Sequence, residues 1–137
     1  MTLLHRPARA RLLPTVLLGA ALALTACGGG GDEPGEPNGG TVRAEGPADA
    51  QTATVVSVDG LKYDPGTVEA VVGTLELTHR NASKVPHDLT FEDEAYGVVD
   101  AVTGGQSKAI TLTFSEPGTY VFVCTFHSGQ VGQVVVS

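Results

Sequence analysis

From Thr52 to Ser137, apolar and β-branched side chains recur at every second position, and turn-forming residues interrupt them at short intervals. A period of two belongs to strands, whose side chains alternate between faces, and not to helices. Residues 52–58 stop at Asp59-Gly60, and Tyr63-Asp64-Pro65-Gly66 is a second turn leading into residues 67–72. Gly73 separates these from Leu75-Glu76-Leu77-Thr78-His79, which ends near Asn81. Residues 87–92 read as another strand. The stretch 93–105 is the least regular, with room for a short helix or a brief strand at Val98-Val99. Residues 108–114 set Ile110, Leu112 and Phe114 on one face, Glu116-Pro117-Gly118 turns into residues 120–124, and residues 131–136 end the chain. Seven to eight such strands without a persuasive amphipathic helix predict an all-β domain over residues 51–137, a Greek-key β-sandwich.

The chain ahead of this domain has a different character. Arg6, Arg9 and Arg11 precede an apolar run over residues 12–24, which is too short for a secure membrane span. Leu24-Thr25-Ala26-Cys27 resembles the lipobox of bacterial lipoproteins. The resemblance implies a signal peptide over residues 1–26, cleavage before Cys27, and acylation of Cys27 as a membrane anchor on the outer face of the cell membrane. Residues 27–50, rich in Gly and Pro, read as a flexible tether because they lack apolar periodicity. Loss of the three leader arginines leaves five basic against fifteen acidic residues, a formal net charge of −10. That balance argues against nucleic acid as a partner.

Chemistry concentrates in Cys124-Thr125-Phe126-His127, with His87 at the start of another strand. With Cys27 acylated, Cys124 has no disulfide partner, and an unpaired thiol in an oxidising compartment is a liability unless something occupies it. Burial as an inert small hydrophobe is one fate. Ligation is the other. One thiolate and two imidazoles in a compact β domain form the trigonal set of a mononuclear electron-transfer copper site, and zinc can use the same donors.

The domain also resembles the cupredoxins, the small blue-copper proteins, in their amicyanin-like or plastocyanin-like form. The resemblance rests on Asn81 followed by Pro86-His87, on Pro117-Gly118-Thr119-Tyr120 leading into the cysteine strand, and on Cys-x-x-His followed by Gly132 and a closing valine strand. It implies one copper ion held by His87, Cys124 and His127. Gln130 stands where the amicyanin-like loop has its axial methionine. The sole methionine is Met1, so no thioether is left in the processed chain. An amide oxygen is a harder donor that favours Cu(II), so a Gln130 ligand implies a lower reduction potential. Asp88 is expected to accept a hydrogen bond from Thr125 and tie the two ligand loops together. His127 is expected near the surface as the electron port, with Val85, Pro86 and Phe126 as an apolar collar. His79, beside Arg80, and Gln133 are expected to face solvent.

The function so implied is a monomeric, membrane-tethered one-electron carrier between a redox protein donor and acceptor, and not an enzyme. Copper delivery to an exported cuproenzyme is the alternative. Delivery sites favour soft, exposed, exchangeable ligands, often several methionines, and this domain has none. A thiol hydrolase lacks support, because no oxyanion or orienting motif accompanies Cys124 and His127.

Overall fold

The structure is a computed structural model that describes residues 35–137; the leader read at 1–26, Cys27 and the first part of the tether lie outside the described residues. Ten strands follow one another: β1 Thr41–Arg43, β2 Gln51–Val58, β3 Lys62–Tyr63, β4 Thr67–Ala70, β5 Gly73–Asn81, β6 His87–Phe91, β7 Val98–Val102, β8 Ser107–Phe114, β9 Gly118–Val123 and β10 Val131–Val136. They form two mixed sheets, ordered β1-β4-β10-β9-β6-β7 and β3-β2-β5-β8. The only helical piece among the described residues is a 3-10 turn at Glu94–Tyr96, capped by the Asp93 side chain.

Alternation builds the core. Val55, Leu75, Leu77, Leu112 and Phe114 from the smaller sheet meet Val68, Leu89, Phe91, Phe122 and Val134 from the larger one, all essentially without solvent contact. Tyr63 and Phe122 meet edge to face with centroids 5.1 Å apart, and Phe91 packs against Phe122 in the same way. Such pairs add to the burial term through their quadrupoles. Gly132 on β10 pairs with Phe122 on β9. A Cβ there would run into the Phe122 ring, so this glycine makes room for that ring in the core.

Three sequence expectations need correction. The count among the described residues is ten strands, because β1 and the two-residue β3 join the eight read from alternation. Tyr63 is a fully buried member of β3 that donates its hydroxyl to the Asp88 carbonyl at 2.6 Å, where a turn residue was expected. The segment read as tether is partly structured: β1 adds parallel to β4, and Gly40 accepts from the Gly66 and Thr67 amides. This segment lacks periodicity because it lies at a sheet edge and binds through its backbone, which leaves no pattern in side chains.

Candidate metal centre

The site lies at the end of the larger sheet where β6 begins and β9 ends. β6 and β9 run antiparallel, with Thr90 opposite Val123 and Phe91 opposite Phe122, so His87 and Cys124 come to the same edge from opposite directions. The loop between β9 and β10 folds by nested turns. The His127 amide donates to the Cys124 carbonyl at 3.4 Å, the Gln130 amide to the His127 carbonyl at 3.2 Å, and the Cys124 amide to the Gln130 carbonyl at 3.1 Å. The three-residue spacing of 124, 127 and 130 is therefore a spacing of turns. Gly129, with φ of 83°, supplies the left-handed step before Gln130.

These turns bring one donor atom each from His87, Cys124 and His127 within 4.8 Å of one another. Cys124 Sγ lies 3.4 Å from His127 Nδ1 and 3.8 Å from His87 Nδ1. His87 and Cys124 are buried, whereas His127 is half-buried. The fourth side chain, Gln130, is fully buried with Oε1 2.7 Å from His87 Nδ1. A water-facing turn residue is thereby ruled out at this position.

The loop before β6 is braced with equal care. Asn81 donates through Nδ2 to the Val85 and Val102 carbonyls at 2.7 and 2.8 Å and accepts from the Ser83 amide at 2.8 Å. The Ser83 hydroxyl lies 3.1 Å from the Val85 carbonyl and 2.8 Å from His87 Nε2, and so holds the ring from behind. His87 Nδ1 in turn faces Gln130 Oε1 at 2.7 Å and Cys124 Sγ at 3.8 Å, so this nitrogen is the one presented to the other donors. A proton on Nδ1 is donated to the amide oxygen, and a cation bound there would take that proton's place.

Asp88 links the two loops directly. Its carboxylate accepts from the Thr125 amide at 2.7 Å, the Thr125 hydroxyl at 2.6 Å and the Thr90 hydroxyl at 3.1 Å. Burial pushes this carboxyl up, but the hydrogen bonds from Thr125 and Thr90 outweigh it and hold it below its ordinary value. Burial pushes the Cys124 thiol up, and the Asp88 charge adds to that, against partial relief from the Asp88 and Phe126 amides. Burial holds His87 low, so it is a neutral imidazole available as a ligand. A coordinating cation displaces a thiol proton outright, which removes the one obstacle in this donor set.

Two expectations for flanking residues differ from the structure. His79 is fully buried, with Nε2 2.8 Å from Ser57 Oγ, and does not face solvent. Gln133 is half-buried and donates to Thr67 Oγ1 at 3.3 Å. Sequence reasoning missed Ser57, Ser83 and Asn38. Asn38 clamps the ligand loop from outside, donating to the Gly129 carbonyl at 3.0 Å while its own amide donates to the Val131 carbonyl at 3.1 Å.

A family profile described as the Cupredoxin-like domain matches residues 17–136. The chain belongs to this family. Amicyanin of Paracoccus denitrificans is 36% identical over 90 residues, covering 64% of this chain and 67% of that protein. Plastocyanin B'/B'' of Nicotiana tabacum is 34% identical over 90 residues, covering 57% of this chain and 90% of its own. Reduced auracyanin of Roseiflexus castenholzii shares the fold, with a TM-score of 0.56 at 24% identity over 63% of this chain and 96% of that one. This cupredoxin is accordingly an electron-transfer protein with one copper ion as its cofactor, and not an enzyme. The sulfur and two ring nitrogens, converged toward one point, fit that ion.

Proposed function

We propose that this cupredoxin is a lipid-anchored one-electron carrier on the outer face of the cell membrane, with His87, Cys124 and His127 as equatorial ligands and Gln130 as the axial donor. The observation that carries the reading is the convergence of three soft and borderline donors, with a buried amide oxygen as their fourth neighbour. When bound, copper supplies a one-electron couple between Cu(I) and Cu(II). The chain supplies fixed ligand positions through Asn81, Ser83 and Asp88, so little reorganisation accompanies a change of charge. His127 offers the route in and out. It is half-buried beside Phe126, 58% exposed, and with the exposed Val85 and Pro86 just ahead of His87 this would offer an apolar surface to a redox partner.

Burial of His87, Cys124 and Gln130 argues against copper delivery, which needs ligands a recipient can reach. Anchoring is supported by the lipobox-like Leu24-Thr25-Ala26-Cys27. Copper is tested by adding Cu(II) to the purified domain and recording visible and electron paramagnetic resonance spectra. An intense thiolate-to-copper band, abolished by Cys124→Ala and by His127→Ala, is expected. A colourless product with Cys124 still alkylated at full rate would overturn the assignment. Anchoring is tested by detergent-phase partition of the full chain, which Cys27→Ala should abolish.

A further inference from the structure

Behind the ligands runs a second, wholly buried polar chain. Gln130 Nε2 donates to Ser57 Oγ at 3.1 Å, and Ser57 Oγ lies 2.8 Å from His79 Nε2. Ser57, His79 and Gln130 each have no solvent contact. Ser57 lies on β2 and His79 on β5, the adjacent parallel strands of the smaller sheet, so the chain crosses the sandwich to reach the ligand loop.

Counting protons favours one direction for this chain. A serine hydroxyl has one proton to give and lone pairs to receive. Ser57 Oγ receives from Gln130 Nε2, which leaves its proton for His79 Nε2. That nitrogen must then be bare, and neutral His79 carries its proton on Nδ1, which has no hydrogen-bond partner. With the reverse tautomer, Ser57 would either accept from both neighbours through its two lone pairs, leaving its own proton and His79 Nδ1 both without a partner, or turn its proton toward the amide. In the second case Gln130 would have to present oxygen to Ser57 and its NH2 group to His87 and Cys124. An amide NH2 offers donors and no usable lone pair, so it cannot ligate a cation.

We propose that Ser57, oriented by His79, is the positioning residue that makes Gln130 present its oxygen to the ligand cluster and so selects the axial donor. The proposal rests on the reading of Gln130 as axial ligand. Two apolar side chains would fill the same volume without leaving a buried nitrogen unpartnered. What they could not do is choose between the two ends of an amide.

Two measurements test it. The first needs no metal: long-range nitrogen–proton correlation spectra of the metal-free protein should show His79 protonated at Nδ1 and bare at Nε2. The reverse tautomer overturns the proposal, whether or not the protein takes up copper. The second compares the copper-loaded variants. Ser57→Ala should keep the thiolate-to-copper band while raising the reduction potential and altering the axial paramagnetic signature, and Ser57→Thr, which keeps the hydroxyl, should restore both. In a Gln130→Leu background, Ser57→Ala should no longer shift the potential. An equal shift with and without the Gln130 amide would show that Ser57 acts by another route and would sink the idea. Failure of the wild-type protein to bind copper would instead remove the axial-ligand reading, with the tautomer result still deciding whether His79 orients Ser57.

Discussion

Acidification should destabilise the fold through His79, and the size of the effect follows from its surroundings. The ring is enclosed by apolar neighbours, with Ser57 at one nitrogen and Tyr63 packed edge-on at a centroid distance of 6.0 Å. Burial, chiefly, and the nearby His87 lower its pKa from 6.5 to about 4, while the Asp88 carboxylate pulls weakly the other way. In the unfolded chain the same ring takes a proton near pH 6.5. Between these values the unfolded state binds a proton that the folded state refuses, so stability rises with pH across this window and is lost as pH falls from about 6.5 to about 4. A gap of 2.5 units at about 1.36 kcal/mol per unit amounts to roughly 3 kcal/mol. Below about pH 4 both states are protonated and the loss levels off. The assay is urea denaturation of the metal-free protein, followed by circular dichroism across this range, for the wild type and His79→Gln. Other titrating groups occur on both curves and cancel in the difference. A wild-type-minus-variant difference that stays flat from pH 7 to pH 4 would refute the burial argument.

Three further outcomes are expected. Gln130→Met should keep the thiolate-to-copper band and raise the reduction potential measured by redox titration, because a thioether stabilises Cu(II) less than an amide oxygen does; an unchanged potential would disprove the axial role. Gly132→Ala should lower the urea midpoint by the equivalent of about 1–3 kcal/mol, since its Cβ meets the Phe122 ring and the Gly66 carbonyl in a packed core, and an unaltered midpoint would mean the core yields there. A chain beginning at Gln51 should be less stable than one beginning at Gly35 by about 2 kcal/mol or more, because it loses β1, the Gly40 pairing and the Asn38 clamp; equal denaturation curves would return this segment to the role of a tether.

Eight of the ten strands were legible because their side chains alternate against a core on one face. β1 and β3 were not, since a three-residue edge strand and a two-residue strand are too short to display a period. The convergence of His87, Cys124 and His127 was anticipated from residue type: a thiol, a turn of three and an imidazole leave a local mark, and a second imidazole at a strand start supplied the third donor. His79 shows where residue type misled. Leu75 and Leu77 point inward, and the same period carries on to His79 and Asn81, both fully buried. Register placed His79 inside, whereas its polarity and its neighbour Arg80 suggested the surface. The period was the better guide, because one strand cannot turn a single residue out of step without a bulge. Ser57 follows Val55 on β2 by the same rule. Its partnership with Gln130, 73 positions away, depends on how two sheets face each other, and no local pattern encodes that.

The hydrogen bonds around the site also explain how one small domain can suit both charge states of a metal. Every donor is held by a partner other than the metal: His87 by Ser83, the 124–130 loop by its nested turns and by Asn38, and Cys124 indirectly by the Thr125 tie to Asp88. Asp88 itself is fixed from below, where Tyr63 donates to its carbonyl. These bonds are made without any ion, so a metal held by this set would meet ligand positions that the fold already fixes. A site assembled by the metal would relax on each electron transfer. This one has its positions set by the sandwich, and the Asp88 carboxylate adds a fixed negative charge beside the cluster. With Gln130 as the proposed donor, that charge and the amide oxygen would both favour Cu(II), and the burial that raises the Cys124 thiol would oppose them by disfavouring net charge. On the proposed assignment the potential would be set by a balance between the Asp88 carboxylate, the Gln130 oxygen and the apolar wall around them.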